Sequence, residues 1–339
     1  MSKPHYLLVG GSNCVINEGY GAILQQKLPG DWTNKSLGNS PSLRGVECLV
    51  ENQSLIDRVD QIFFEYTLND LIFEATHTLD PLSHLDWLQC LVSIEKIRKK
   101  LIFILLHGQG GTSLIATGYS FVYFNYKEVI KRFGIDYIDL FPQIEQCVIA
   151  KGPSAVFLQN DHFVSEMVQI LVAKTISEYI KLVDIRRPCG EENITSHNVV
   201  VIDPSIDAPS EFCQNFSTSL ISVPVVRLAE NMEIRIRSPG GRLVGFYAIA
   251  SKDAGCLKIR TNNMEIVKII KHRFGVLKPY FVLRHLTMPL HTSHGEEIVF
   301  SYARHIFDAP KASLDQTMAQ VIDRIGGKEV FIGKFIFLV

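Results

Sequence analysis

Four short blocks, far apart in the chain, hold residue types that can do chemistry. Val9-Gly10-Gly11-Ser12-Asn13 puts a hydroxyl directly after an apolar run and two glycines. Asn34-Lys35-Ser36-Leu37-Gly38-Asn39-Ser40 brings a glycine between polar neighbours. Phe63-Phe64-Glu65-Tyr66-Thr67-Leu68-Asn69-Asp70 ends an apolar run on an amide and a carboxylate. Gln159-Asn160-Asp161-His162-Phe163-Val164-Ser165 sets an imidazole just before a helical pattern. A serine hydroxyl is a poor nucleophile alone and needs a base such as histidine to take its proton. Two other readings of the first block fail on spacing. A dinucleotide fingerprint counted from Gly10 needs glycine where Ser12 and Val15 stand. The G-x-S-x-G elbow needs a second glycine where Cys14 stands, and several strands before its serine.

Each block also has an ordinary structural reading. Ser12 could cap the first helix. Asn69 could be a turn residue at a strand end. Gly38-Asn39-Ser40-Pro41 could be a plain turn, and His162 a helix N-terminal histidine without a role. Their order is what distinguishes them. Over residues 5–180 the set resembles the SGNH (GDSL-like) hydrolase superfamily, which places its serine right after the first strand. The resemblance implies a metal-free, cofactor-free serine site, with Ser12 as nucleophile and His162 as base. It also implies an oxyanion hole from Ser12 N–H, Gly38 N–H and the Asn69 side chain. Glycine suits position 38 because a side chain there would block the substrate carbonyl.

Two positions depart from the family pattern. Thr67 replaces a glycine of the Gly-x-Asn-Asp block and leaves the asparagine intact. The family's Asp-x-x-His has Gln159 in its acid position, and Asp161 lies directly beside His162. Three outcomes stay open: Asp161 serves as the acid; Gln159 or a backbone carbonyl holds the imidazole in a Ser–His dyad; or the site is impaired.

The expected activity is therefore a serine-dependent carboxylic-ester hydrolase working through an acyl-enzyme. Glu65-Tyr66-x-x-Asn69-Asp70 resembles the block seen in SGNH proteins of bacterial surface-polysaccharide synthesis, which implies an acylated carbohydrate or similar small ester as substrate. An O-acyltransferase using the same serine, and a non-catalytic glycan-binding or interaction module, are the alternatives. Sequence cannot separate hydrolase from transferase, since they differ only in whether water or an alcohol meets the acyl-enzyme.

The elements that must hold these residues can be read from hydrophobic patterning. Over the first 180 residues, apolar runs at 6–9, 59–65, 101–106 and 135–140, with a fifth near 32–37, alternate with helical patterns at 18–28, 42–56, 82–99, 120–133 and 163–182. Such alternation predicts a parallel sheet covered on both faces, and the family resemblance makes it a flavodoxin-like three-layer α/β/α domain spanning 1–184. Past Arg186-Arg187-Pro188-Cys189-Gly190 the pattern changes to nine short β runs with turns at Pro239-Gly240-Gly241 and Gly326-Gly327, and one helix at 313–324. A second domain at 185–339 is expected, a β-sandwich or jelly-roll, with a structural or dimerising role.

Composition narrows the partners. Lys plus Arg total 34 against 35 Asp plus Glu, a formal net charge of -1, so no basic excess exists for nucleic acid. No apolar run reaches the roughly 18 residues of a membrane span, and 6–9 is too short for a signal-peptide core. Seven dispersed cysteines, none in a Cys-x-x-Cys pair, argue against a disulfide framework or zinc ribbon. A cytoplasmic protein is expected, with the sequons at Asn34, Asn52, Asn193 and Asn215 as chance matches. His285, His291 and His294 match no helical ligand spacing, and no metal is expected. His107-Gly108-Gln109-Gly110-Gly111-Thr112 reads as a pocket wall or as a plain flexible loop.

Overall fold

Tyr6-Leu7-Leu8-Val9 is apolar on both faces, as a central strand covered from both sides must be. In the computed structural model it forms β1 (His5–Gly10), nearly all of it buried. The structure describes residues 3–109, 120–158, 162–185, 198–206, 208–217, 222–251, 253–270, 279–304, 313–315 and 327–339. By its contacts the chain divides into two units, 1–197 and 198–339.

In the first unit β1 lies between β2 (Asp31–Asn34) and β3 (Gln61–Glu65), with β4 (Leu101–Leu105) and β5 (Asp136–Asp139) beyond. The order is β2-β1-β3-β4-β5 and every pair is parallel. In such a sheet, sites gather outside the carboxyl ends of the strands, and Ser12 and the residues after Asn34 and Glu65 all lie at that edge.

The helices are α1 (Tyr20–Lys27), α2 (Leu43–Glu51), α3 (Gln53–Arg58), α4 (Thr67–Ala75), α5 (Pro81–Ser93), α6 (Glu95–Arg98), α7 (Phe121–Phe133), α8 (Phe141–Lys151) and α9 (Ser165–Ile185). Pro81 opens α5, and the Asp80 carboxylate accepts from Ser83 N–H at 2.7 Å. Gly134 closes α7 in the left-handed conformation, φ 62°. One apolar cluster joins β1, α1 and α9, with Tyr6, Trp32, Phe63 and Tyr179 packed ring on ring. Tyr20 Oη and Thr175 Oγ1 share a buried 2.8 Å hydrogen bond between α1 and α9.

Several element boundaries differ from the sequence reading. The pattern at 42–56 breaks into α2 and α3 at Asn52, whose Nδ2 donates to the Cys48 carbonyl at 2.7 Å. That at 82–99 breaks at Ile94, which is extended. Helices α4 and α8 were not expected at all.

The second unit contains β6 (Val199–Ile202), β7 (Cys213–Ser217), β8 (Ser222–Leu228), β9 (Glu233–Ala250), β10 (Cys256–Arg260), β11 (Glu265–Ile269), β12 (Tyr280–Ala303), β13 (Ser313–Asp315) and β14 (Val330–Leu338). They form one hydrogen-bonded path, β13-β11-β10-β12-β9-β14-β8-β7, with β6 on β14. Strands β9 and β12 make a long antiparallel ribbon with two register shifts. One end of β12 pairs with β10, while the opposite end of β9 pairs with β14. The path thus curls over a shared core that includes Leu257, Leu290, Phe300 and Phe335. Lys268 Nζ donates to the His285 carbonyl at 2.8 Å, and Arg284 to that of Ile270 at 3.1 Å.

Pro239-Gly240-Gly241 is not a strand-ending turn. It bends β9 from within, with φ of 92° and 79° at the glycines, and a Cβ on Gly241 would collide with the Leu338 carbonyl. Of the helix expected at 313–324, Ser313–Asp315 is a strand parallel to β11; the remainder lies outside the described residues.

Candidate active site

The turn after β1 is closed by its own backbone. Gly11 N–H donates to the Glu65 carbonyl at 2.8 Å, and a 3-10 turn over Ser12–Cys14 returns Cys14 N–H to Gly11 O at 3.0 Å. Ser12 therefore stands at the N-terminus of a short turn, at the carboxyl edge of the sheet. Its Oγ lies 3.0 Å from His162 Nε2. The two are 150 residues apart in sequence, and this is a contact across which a proton can pass. His162 is held by a local bridge: Leu158 N–H donates to its carbonyl at 2.6 Å, and Phe157 pairs with Phe163.

The other two blocks meet at the same turn. Leu37 N–H donates to the Gly10 carbonyl at 3.0 Å, which brings Gly38 against Ser12. A Cβ on Gly38 would lie 3.3 Å from both Cα and Cβ of Ser12, so a larger side chain would fill the space beside the hydroxyl. Asn69 sits in the first turn of α4 and is buried. Its Nδ2 donates to the Ser40 carbonyl at 2.7 Å, which leaves the second amide hydrogen for another acceptor. A Cβ on Gly11 would collide with this amide. The backbone N–H groups of Ser12 and Gly38 make no hydrogen bond among the described residues. The Gly38 backbone thus lies against Ser12, and the Asn69 amide lies against Gly11.

Asp161, together with Gln159 and Asn160, lies outside the described residues, as does 110–119 of the expected loop wall. His107, the start of that segment, is buried against Phe141, ring centroids 4.6 Å apart. His285 is buried on β12, whereas His294 is exposed with its Nδ1 3.1 Å from the Pro239 carbonyl.

Beneath the serine lie two groups that the sequence reading did not single out. Glu65 is fully buried. Burial, opposed by hydrogen bonds from Cys14, Gly11 and Leu68, pushes its carboxyl up to about 7. Cys14 Sγ faces Glu65 Oε2 at 3.5 Å. Burial first, and the Glu65 charge second, push its thiol well up. Although Cys14 is two residues from Ser12, it stays protonated as a donor to Glu65 and is no rival nucleophile. An acid at the end of an apolar strand was the available signal for Glu65, since a buried carboxylate needs a reason to be there.

No family profile matches the chain, and no curated protein matches it in sequence. In fold it is similar to a two-domain esterase (CEX) active on acetylated mannans, solved with mannopentaose. The TM-score is 0.67 at 9% identity, over 99% of this chain and 90% of that one. A second structure of that esterase gives 0.65 at 11%, over 99% and 91%. An acetylxylan esterase from Geobacillus stearothermophilus matches 52% of this chain and 94% of its own at 14% identity, TM-score 0.41. The chain thus shares the two-domain fold of that esterase structure, a parallel α/β domain followed by a separate curled antiparallel β domain.

Proposed function

We propose that this protein is a serine-dependent ester hydrolase that removes a small acyl group, acetyl above all, from a carbohydrate. The observation that carries the reading is the 3.0 Å contact between Ser12 Oγ and His162 Nε2, with the Gly38 backbone packed against Ser12. The likeness over 99% of the chain to an esterase active on acetylated mannans supports a carbohydrate ester as substrate.

The steps follow from the residues. His162 Nε2 takes the Ser12 proton as Oγ bonds to the ester carbonyl carbon. The carbonyl oxygen becomes an oxyanion, which accepts from Ser12 N–H, Gly38 N–H and Asn69 Nδ2. Collapse breaks the bond to the sugar oxygen, which leaves with the proton carried by His162. Water, deprotonated by the same imidazole, then adds to the acyl carbon, and the bond to Ser12 Oγ breaks as His162 returns the proton to Oγ, releasing the acid.

Incubation with p-nitrophenyl acetate and with acetylated mannooligosaccharides tests this reading. Acetate release that is lost in Ser12→Ala is expected. Acetate delivered to an added sugar hydroxyl in preference to water would instead make the protein an acyltransferase, and equal release by Ser12→Ala would overturn the serine assignment.

A further inference from the structure

Asp70, next to the oxyanion residue Asn69, is fully buried and receives three donors. Ser42 N–H reaches its Oδ1 at 2.8 Å, and His84 Nε2 and the Tyr126 hydroxyl reach its Oδ2 at 3.1 Å each. The histidine's tautomer is set from behind. Asn125 Nδ2 donates to the Pro81 carbonyl at 3.0 Å, and the same nitrogen lies 3.1 Å from His84 Nδ1. Nδ1 must therefore accept, which places the ring proton on Nε2, pointing at Asp70.

This network bears on the loop that carries Gly38. The segment is fixed at three points: Leu37 N–H on the Gly10 carbonyl, the Ser40 carbonyl on Asn69 Nδ2, and Ser42 N–H on Asp70. The last two pins come from consecutive residues in the first turn of α4. One turn of helix thus supplies one oxyanion donor and holds the loop that supplies another.

We propose that Asp70 and His84 are positioning residues of this site: the imidazole orients the carboxylate, and the carboxylate clamps the loop so that Gly38 N–H points at the developing oxyanion. Neither residue touches substrate. The inference deepens the esterase reading and rests on it for its consequence in catalysis. A clamp that sets donor geometry acts on the transition state more than on bound substrate, so its loss lowers kcat and spares KM.

His84→Leu removes the donor at similar size, and His84→Gln can place an amide N–H where Nε2 stood. Tyr126→Phe is the mild variant, removing one donor of three. Two readouts are needed: steady-state kinetics with p-nitrophenyl acetate, and amide hydrogen exchange in the absence of substrate. For His84→Leu we expect kcat down by about tenfold or more with KM within about twofold, and faster exchange confined to the amides of the 38–42 loop, those of Gly38, Asn39, Ser40 and Ser42. His84→Gln should restore most of the lost rate, and Tyr126→Phe should show a smaller change in the same amides. Unchanged exchange at 38–42 in both His84→Leu and Tyr126→Phe would overturn the clamp, as would acceleration spread evenly over the first unit. Because exchange is read without substrate, a wild-type protein inert toward esters would sink the esterase reading while loop-selective exchange still upheld the clamp.

Discussion

A hydroxyl 3.0 Å from an imidazole matters when charge on the attacked carbonyl has somewhere to go. Asn69 is the donor most easily tested. Its Cβ stays in Asn69→Ala while the amide is lost, and kcat should fall about 10²–10³-fold in a protein that still folds, less stable by about 1–3 kcal/mol for the lost bond to the Ser40 carbonyl. A loss of folding in step with activity would reduce Asn69 to its bond with Ser40. Glu65 makes a different prediction, because its burial disfavours the charged form. The folded state keeps a proton that the unfolded chain gives up from about pH 4.5, and releases it only near pH 7. Its contribution to stability is thus fully present below 4.5 and is lost as pH rises to about 7, roughly 3 kcal/mol at the outer bound. Glu65→Gln should remove that slope from the wild-type curve of unfolding free energy against pH; parallel curves for the two proteins would show that Glu65 does not titrate there.

At the scale of elements, the site depends on loops closing on strand ends. The Tyr20–Thr175 bond joins α1, which follows the nucleophile turn, to α9, which follows His162. Thr175→Val leaves a buried phenol without its partner and should cost about 1–3 kcal/mol in denaturant unfolding; a cost near zero would show that packing alone joins the helices. The parallel sheet and most of its helices were legible because strand runs such as Leu101–Leu105 are apolar throughout, here between Lys99-Lys100 and the glycine-rich segment that starts at Gly108. Helix α4 was hidden because Thr67–Ala75 continues the buried run of β3 almost without a break, so no period of 3.6 stands out. In α8 only Ile144 is fully buried, which is too thin an apolar stripe to read. Ser12, Gly38 and Asn69 could be picked out because each lies shortly after a strand end, and His162 because it precedes a helix, in a set order. Asp70 was legible only as the end of the Asn-Asp block, and its pairing with His84 was not, since the buried pair joins α4 to α5 and His84 carries no local pattern.

For the whole molecule, each unit has its own apolar core, one around the parallel sheet and one inside the curled antiparallel path. Nothing in the composition shows how the second path runs. Its long ribbon looks like four separate short strands, because Pro239-Gly240-Gly241 reads as a turn and the register shifts at His285/Leu290 and His294/Glu297 interrupt β12. Gly241→Ala puts a Cβ into the Leu338 carbonyl at a positive φ and should destabilise the second unit by more than about 1 kcal/mol. Calorimetry should show that loss in the transition of unit 198–339, with the transition of 1–197 little changed. A uniform shift of one single transition would mean that the two units unfold together. Among the described residues no helix is long and apolar enough to cross a membrane.

Acyl transfer to Ser12 is the step on which the account turns, and trapping it is the most direct measurement. Rapid acid quench during turnover of p-nitrophenyl acetate, followed by peptide mapping, should find one acetyl group on the peptide that holds Ser12. It should be absent in Ser12→Ala and should form far more slowly in His162→Gln, which loses the base for both steps. Steady turnover with an unmodified Ser12 peptide, and with full activity in Ser12→Ala, would contradict the account.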